Sequence, residues 1–262
     1  MTDQVISTLD QGVRTIAINR PEVRNAISFE TTAALSAAVV HAIEDRQTRC
    51  VVLTGRGGAF SSGADLKAMM SGAVGPGSVD DRIAELHAVV KSIRQAPLPF
   101  IASVDGPAAG FGCDLALACD MRIVSTRAYF AELFVRIGLI PDGGGTFLLP
   151  RLVGLARAFE LMATGDRVSG EEAVRIGLAN RVVEPDALES ATLELARRIA
   201  KGPPLALHLM KECLERNLSA DYSSALDNER RAQLRCLASP DLIEGVSAFF
   251  EKRDPRFSGE RD

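Results

Sequence analysis

Residues 104–120 read VDGPAAGFGCDLALACD, and the fold turns on how this stretch is read. The apolar run Phe100–Val104 ends in Asp105-Gly106-Pro107, small residues follow, and residues 113–119 are apolar. That order predicts a strand, a tight turn and a helix start. Gly110 and Gly112 leave no side chain where a ligand would approach the backbone, and a helix N-terminus presents unpaired N–H groups to negative charge. Taken alone, the same residues also describe an ordinary strand-to-helix turn with small residues for close packing. The second stretch it is built to meet is IGLIPDGGGT, residues 137–146.

Outward from there, residues 5–9 and 13–19 flank Asp10-Gln11-Gly12, a turn signal between two β-prone runs, so a hairpin opens the chain. Arg20-Pro21 ends it. Ser28 suits the cap of a helix whose Leu35, Val39, Ala42 and Ile43 fall on one face. Residues 50–54, CVVLT, predict a short buried strand that feeds the glycine-rich loop GRGGAFSSGAD at 55–65. Residues 71–78, SGAVGPGS, predict a mobile loop, 83–93 a helix and 121–125 a strand. Past Thr146 the pattern turns mostly helical, at 152–163, 170–176 and 187–200, with a short strand at 181–183. Lys201-Gly202-Pro203-Pro204 marks a boundary, followed by helices at about 205–216, 222–237 and 242–251. The expected architecture is therefore an α/β core over residues 1–200 and a helical region over 201–262. Such a tail has little core of its own, so it should pack on the main domain or on another subunit.

Composition narrows the function classes. The chain has 262 residues, 24% of them charged, and a net charge of −4. No block of Lys or Arg points to nucleic acid or an anionic membrane surface. The N-terminus lacks the basic start and apolar core of a signal peptide, and no apolar run approaches the roughly 20 residues of a membrane span. Cys50, Cys113, Cys119, Cys213 and Cys236 form no CxxC pair and read as reduced thiols, so the cytoplasm is the expected compartment.

Several chemistries lack their motifs: there is no GxxxxGK[ST] phosphate loop, no GxGxxG opening a helix, and no GxSxG elbow. His41, His87 and His208 stand far apart in helical stretches and read as surface or core residues, which leaves no expected metal site. What remains are carboxylates beside glycine-rich backbone. GGAFSSGADL and AAGFGCDL each follow an apolar strand, and two such turns on neighbouring strands could aim one N–H each at a single point. Convergent backbone donors are what a developing enolate oxygen needs. Asp114 and Asp142 then become candidate acid/base groups. Each also fits a helix-start or turn aspartate held by local N–H groups.

RPEVRNAIS, GAFSSGADLK, DGPAAGFGCDLALACD, AYFAELFVRIGLIPDGGGT, GDRVSGEEAVRIGLANRVV and SAFFEKRDPRF follow one another across essentially the whole chain. In order and spacing they resemble the enoyl-CoA hydratase/isomerase (crotonase) superfamily. The resemblance implies a spiral of ββα units with a C-terminal helical trimerisation region, assembled as a homotrimer or homohexamer. It implies an acyl-CoA thioester substrate, with no cofactor beyond the coenzyme A that the substrate carries. The thioester oxygen would sit between the backbone N–H groups of Ala64 and Phe111, with Gly110 beside it.

The resemblance also divides the carboxylates. Hydratases of the family place two glutamates around one water; the first position is Asp114 here and the second is Phe134, which has no acid/base function. Asp142 falls where Δ3,Δ2-enoyl-CoA isomerases and 1,2-epoxyphenylacetyl-CoA isomerases carry their acid/base carboxylate, and FAELFVRIGLIPDGG resembles the latter most. The leading expectation is an isomerase in which Asp142 moves the proton, Asp114 is auxiliary, and Phe111 and Phe134 line the pocket. A 2-enoyl-CoA hydratase of fatty-acid-type degradation, using Asp114 with Asp142 or Glu132, is the alternative. A catalytically silent CoA-binding scaffold is the alternative of another class. For the CoA handle the resemblance implies backbone near Val23, Arg24 and Ala26, bordered by Asp65, Leu66 and Lys67. Phe249 and Lys252 match positions that reach CoA from a neighbouring subunit.

Overall fold

The computed structural model of the chain describes residues 3–70 and 78–261. Nine strands and eleven α-helices are found among them, in chain order β1 (Val5–Asp10), β2 (Val13–Ile18), α1 (Phe29–Glu44), β3 (Cys50–Gly55), α2 (Leu66–Met70), α3 (Val79–Gln95), β4 (Phe100–Val104), β5 (Pro107–Ala109), α4 (Phe111–Ala118), β6 (Met121–Ser125), β7 (Tyr129–Ala131), α5 (Gly145–Val153), α6 (Leu155–Thr164), β8 (Val168–Ser169), α7 (Gly170–Arg175), β9 (Arg181–Val183), α8 (Leu188–Ala200), α9 (Pro204–Asn217), α10 (Tyr222–Leu237) and α11 (Pro240–Glu251). The main sheet has the order β1-β2-β3-β4-β6-β9, antiparallel at β1/β2 and parallel from β2 onward. A smaller sheet, β5-β7-β8, turns alongside it. Strand, return strand and helix thus repeat into the spiral that the motifs implied.

Alternation along the strands decides what covers each face. Ile16, Ile18, Val51, Leu53, Phe100 and Ala102 point into a core closed by α1, α3 and α4. Val13, Cys50, Val52 and Ile101 point the other way, against Leu188, Leu195, Ala196 and Ala200 of α8. Both faces being covered explains why β3 and β4, apart from Thr54 and Ser103 near their ends, are apolar rather than alternating. Ser28 accepts from Thr31 N–H and caps α1, as its position predicted.

The structure departs from the sequence reading at several points. The tight turn expected between residues 105 and 113 contains a strand, β5, and the helix begins at Phe111 rather than Cys113. The helix expected over 152–163 is two helices, broken at Gly154, whose φ of +84° is open to glycine at little cost. The short strands β7 and β8 carry too few residues to show a period. The loop expected at residues 71–78 lies outside the described residues up to Ser78, which caps α3 through a reciprocal bond with Asp81. Among the described residues no helix is long and apolar enough to cross a membrane.

Candidate functional site

Strands β3 and β4 run parallel, with Thr54 opposite Ser103, so the loops that follow them leave the sheet side by side. They stay in register beyond it. Phe60 N–H donates to Asp105 O at 2.8 Å, Ser61 N–H to Pro107 O at 2.9 Å, and Ala109 N–H to Ser61 O at 3.0 Å. Asn25 holds the first of these loops, the one after β3, from the other side. Its Nδ2 donates to Arg56 O and Ala59 O, its Oδ1 accepts from Arg20 N–H, and its carbonyl accepts from Ser61 Oγ–H. It does so at a φ of +56°, a conformation that asparagine tolerates better than most residues.

This scaffold sets the directions of two amides. Gly63 O accepts from Ile27 N–H at 2.8 Å, and in a trans peptide the following N–H points the opposite way. The Ala64 N–H is therefore turned from Ile27. Likewise Gly110 O accepts from Cys113 and Asp114 N–H inside α4, which turns the Phe111 N–H out of the helix N-terminus. Neither amide has a hydrogen-bond partner among the described residues. The two loops touch here: a Cβ on Gly63 would stand 2.6 Å from Ala109 O and 3.4 Å from Phe111 N, and Gly63 has a φ of +94°. Only glycine allows this approach.

All of α4 is buried, including Asp114. Its Oδ2 accepts from Gly143 N–H at 2.8 Å, while Oδ1 has no partner among the described residues. Burial pushes the Asp114 carboxyl up to about 7, the Asp142 charge adds to the rise, and the bond from Gly143 opposes it. The PDGGG loop rides directly over this side chain. A Cβ on Gly143 would come within 2.6 Å of Asp114 Cβ and 2.9 Å of the Phe111 ring, and one on Gly145 would collide with Asp114 Oδ1.

Asp142, at the head of that loop, is half-buried, and burial raises its carboxyl while a facing His87 lowers it. Its backbone carbonyl accepts from His87 Nε2–H on α3 at 2.6 Å. Glu132 is buried close by. Neither of its oxygens has a partner among the described residues, and burial, then the Asp114 charge, hold it well above the usual carboxylate range. Phe134 is buried in the main core, with Phe111, as an apolar wall.

The other expected site residues divide into two groups. Val23 and Arg24 lie on a short 3-10 turn, and their carbonyls accept from Ser62 Oγ–H and Ser62 N–H; Ala26 follows, buried. The RPEVRNA segment is thereby fastened to the loop carrying Ala64. Asp65 pairs with Arg20 at 3.0 Å and caps Ala68 N–H, with Leu66 and Lys67 exposed at the start of α2. Phe249 and Lys252 are not part of this group. Phe249 is exposed in a groove walled by α9, α10 and α11, and Lys252 ends α11 in a left-handed turn. Among the described residues no group of three or more His, Cys, Asp or Glu is placed to hold a metal ion, and all five cysteines are free thiols.

Two contributors escaped the sequence reading. Asn25 carried a faint signal, an Asn in a turn after Arg-Pro, but its partners lie 31 and 34 residues on. His87 carried none: it looked like a helical filler, and only the folded chain sets it against Asp142.

Residues 8–260 match the sequence profile of enoyl-CoA hydratase/isomerase. The chain is 37% identical over 263 residues to the 1,2-epoxyphenylacetyl-CoA isomerase of Escherichia coli K12, covering 99% of this chain and 100% of that one. It is 38% identical over 252 residues to a probable enoyl-CoA hydratase of Rhodobacter capsulatus, covering 96% of each. Among solved structures, an enoyl-CoA hydratase from Bacillus anthracis superposes with a TM-score of 0.94 at 35% identity, covering 98% of this chain and all of that one.

Proposed function

The chain is an enzyme of the enoyl-CoA hydratase/isomerase family, and on that premise we propose that it shifts the double bond of an enoyl-CoA thioester, with Asp142 carrying the proton. The observation that carries this reading is the division of labour among three carboxylates. Asp114 is wholly buried and engaged by Gly143 N–H, Glu132 is wholly buried, and Asp142 alone of the three is partly open.

In a 3-enoyl thioester the C2 proton goes to Asp142. The C2–H electron pair becomes the C1–C2 double bond of a dienolate as the carbonyl π pair moves onto the thioester oxygen, where the amides of Ala64 and Phe111 stabilise the charge. Each such donor is worth roughly 3–4 kcal/mol. The same proton then returns at C4, taken up by the C3–C4 π pair. The C1–C2 pair becomes the C2–C3 double bond and the carbonyl re-forms, leaving the conjugated 2-enoyl thioester. No net atom is gained or lost, so a single carboxyl suffices. Phe111 and Phe134 supply apolar surroundings in which a raised carboxyl is a stronger base than free aspartate.

The CoA moiety is assigned to the backbone around Val23, Arg24 and Ala26 and to the border formed by Asp65, Leu66 and Lys67. Phe249 and Lys252 would serve a neighbouring subunit's substrate in a homotrimer or homohexamer. The exposed Phe249 and Phe250 on α11 support such an assembly. The five free thiols favour a cytoplasmic setting.

A 2-enoyl-CoA hydratase is the second reading. Its support is that Asp114 Oδ1 and both Glu132 oxygens lack partners among the described residues, as two groups around a water would. The deciding experiment is a turnover screen of the purified protein over 2-enoyl, 3-enoyl and 3-hydroxyacyl-CoA thioesters. Gain of conjugated thioester absorbance from 3-enoyl-CoA supports the isomerase. Loss of that absorbance from crotonyl-CoA supports the hydratase. Tight binding with no turnover in any lane leaves the silent scaffold.

A further inference from the structure

We propose that His87 is a positioning residue for Asp142: its imidazole, delivered by α3, fixes the backbone of the Asp142 turn and sets the electrostatic environment of the Asp142 carboxyl. The proposal rests on the reading of Asp142 as the proton carrier.

The contact is specific. A carbonyl oxygen only accepts, so the 2.6 Å approach of His87 Nε2 to Asp142 O makes that nitrogen the proton-bearing one. The bond joins residues 55 apart in sequence, and on the Asp142 side it lands on the head of a glycine run with little stiffness of its own. On the His87 side the support is firm. Val89, Val90 and Ile93 anchor α3 in the core, and α3 packs on both α1 and α4. The turn is thus pinned at two points, by His87 on the Asp142 carbonyl and by Asp114 on the Gly143 N–H. Two consecutive residues of a glycine-rich loop are thereby tied to two different helices.

The charged groups facing Asp142 are His87 on α3, Asp114 on α4 and Glu132 before the 3-10 turn at Leu133–Ile137. Among these His87 alone favours the ionised Asp142 carboxylate, against the burial that raises it. Removing it should misplace the turn and also make Asp142 harder to deprotonate.

The test compares His87→Ala and His87→Gln in the full chain. Steady-state turnover of a 3-enoyl-CoA is followed across pH, alongside a carbon-13 NMR titration of aspartate carboxyls with Asp142 identified by its loss in Asp142→Asn. His87→Ala should lower kcat roughly tenfold, with KM within about twofold, as expected for a lost hydrogen bond to the turn. The acid limb of the profile and the Asp142 midpoint should both move to higher pH. The Gln amide can donate the same bond without the charge, so His87→Gln should recover much of the lost kcat and keep the displaced midpoint. An unchanged kcat and midpoint in His87→Ala overturns the proposal. So does a loss in both variants with no movement of the midpoint, which describes a merely structural histidine. Should His87→Ala not fold, His87→Gln decides through its midpoint. If the unaltered chain fails to isomerise 3-enoyl-CoA, the proposed function falls, and the NMR titration still decides whether His87 governs Asp142.

Discussion

Gly143 N–H donates to Asp114 Oδ2 at 2.8 Å, and this one bond ties the loop that carries Asp142 to the helix whose N-terminus carries the Phe111 amide. The proposed base and one proposed oxyanion donor are therefore positioned by the same buried carboxylate. Asp114 need not touch substrate to matter.

Gly143→Ala tests that coupling sterically. The added methyl would meet Asp114 Cβ at 2.6 Å and the Phe111 ring at 2.9 Å, in a core with no room to give. Overpacking of this kind costs about 1–3 kcal/mol. The expected result is a lower melting temperature, with 3-enoyl-CoA turnover falling further than stability does. A variant with normal turnover would separate the loop from the chemistry.

Asp114→Asn should stabilise the protein at alkaline pH. The folded-state carboxyl titrates near 7, above its ordinary value of 3.8. A group raised in this way favours folding fully below the unfolded value and loses that contribution as pH rises through the folded one. The asparagine variant is spared the loss, which amounts to roughly 4 kcal/mol as an upper bound. Urea unfolding at pH 5 and pH 8 should show parent and variant diverging with increasing pH, the variant on top. Convergence would mean that the carboxylate is better solvated than its burial indicates.

Asn25→Ala removes three side-chain hydrogen bonds, from Arg20 N–H and to Arg56 O and Ala59 O, and leaves an alanine at a φ of +56°. We expect a loss of about 2–4 kcal/mol in denaturant unfolding. In the fraction that remains folded, kcat should fall more than KM rises, because the loop bearing the Ala64 amide loses its outer brace.

Asp142→Asn should lower kcat for 3-enoyl-CoA by roughly 10²- to 10⁴-fold while the dissociation constant for a non-reacting acyl-CoA stays within a few-fold. Calorimetric titration beside the kinetic assay reads both. Full turnover in the variant would remove Asp142 from the mechanism.

Much of this molecule was legible before any coordinates. The hairpin at Asp10-Gln11-Gly12, the cap at Ser28, the apolar strands at 50–54 and 100–104, and the break between α8 and α9 after Ala200 all have local causes: a turn residue, a hydroxyl, a run of buried side chains, a proline pair. The two glycine-rich loops and the candidate acids Asp114 and Asp142 could be named as well, since glycine-rich backbone beside a carboxylate is itself a chemical signal, whereas Ala64 and Phe111 were named as donors only by the family resemblance. The three-residue strands β5 and β7 and the break at Gly154 were hidden, because each depends on a partner strand or a packing direction that lies elsewhere in the chain.

By its local periodicity and its ordered motifs, the sequence alone determined most of the longer elements, their order and the small set of residues from which a site could be made. Which of those residues meet was decided only by tertiary structure. Parallel pairing of β3 with β4 brings the amides of residues 64 and 111 onto neighbouring loops, and the glycines at 143 and 145 let a distant turn lie on Asp114. The fold likewise carries His87 to Asp142. Such meetings are relations between segments tens of residues apart, and hydrogen-bond direction and burial exist only once the chain has closed on itself.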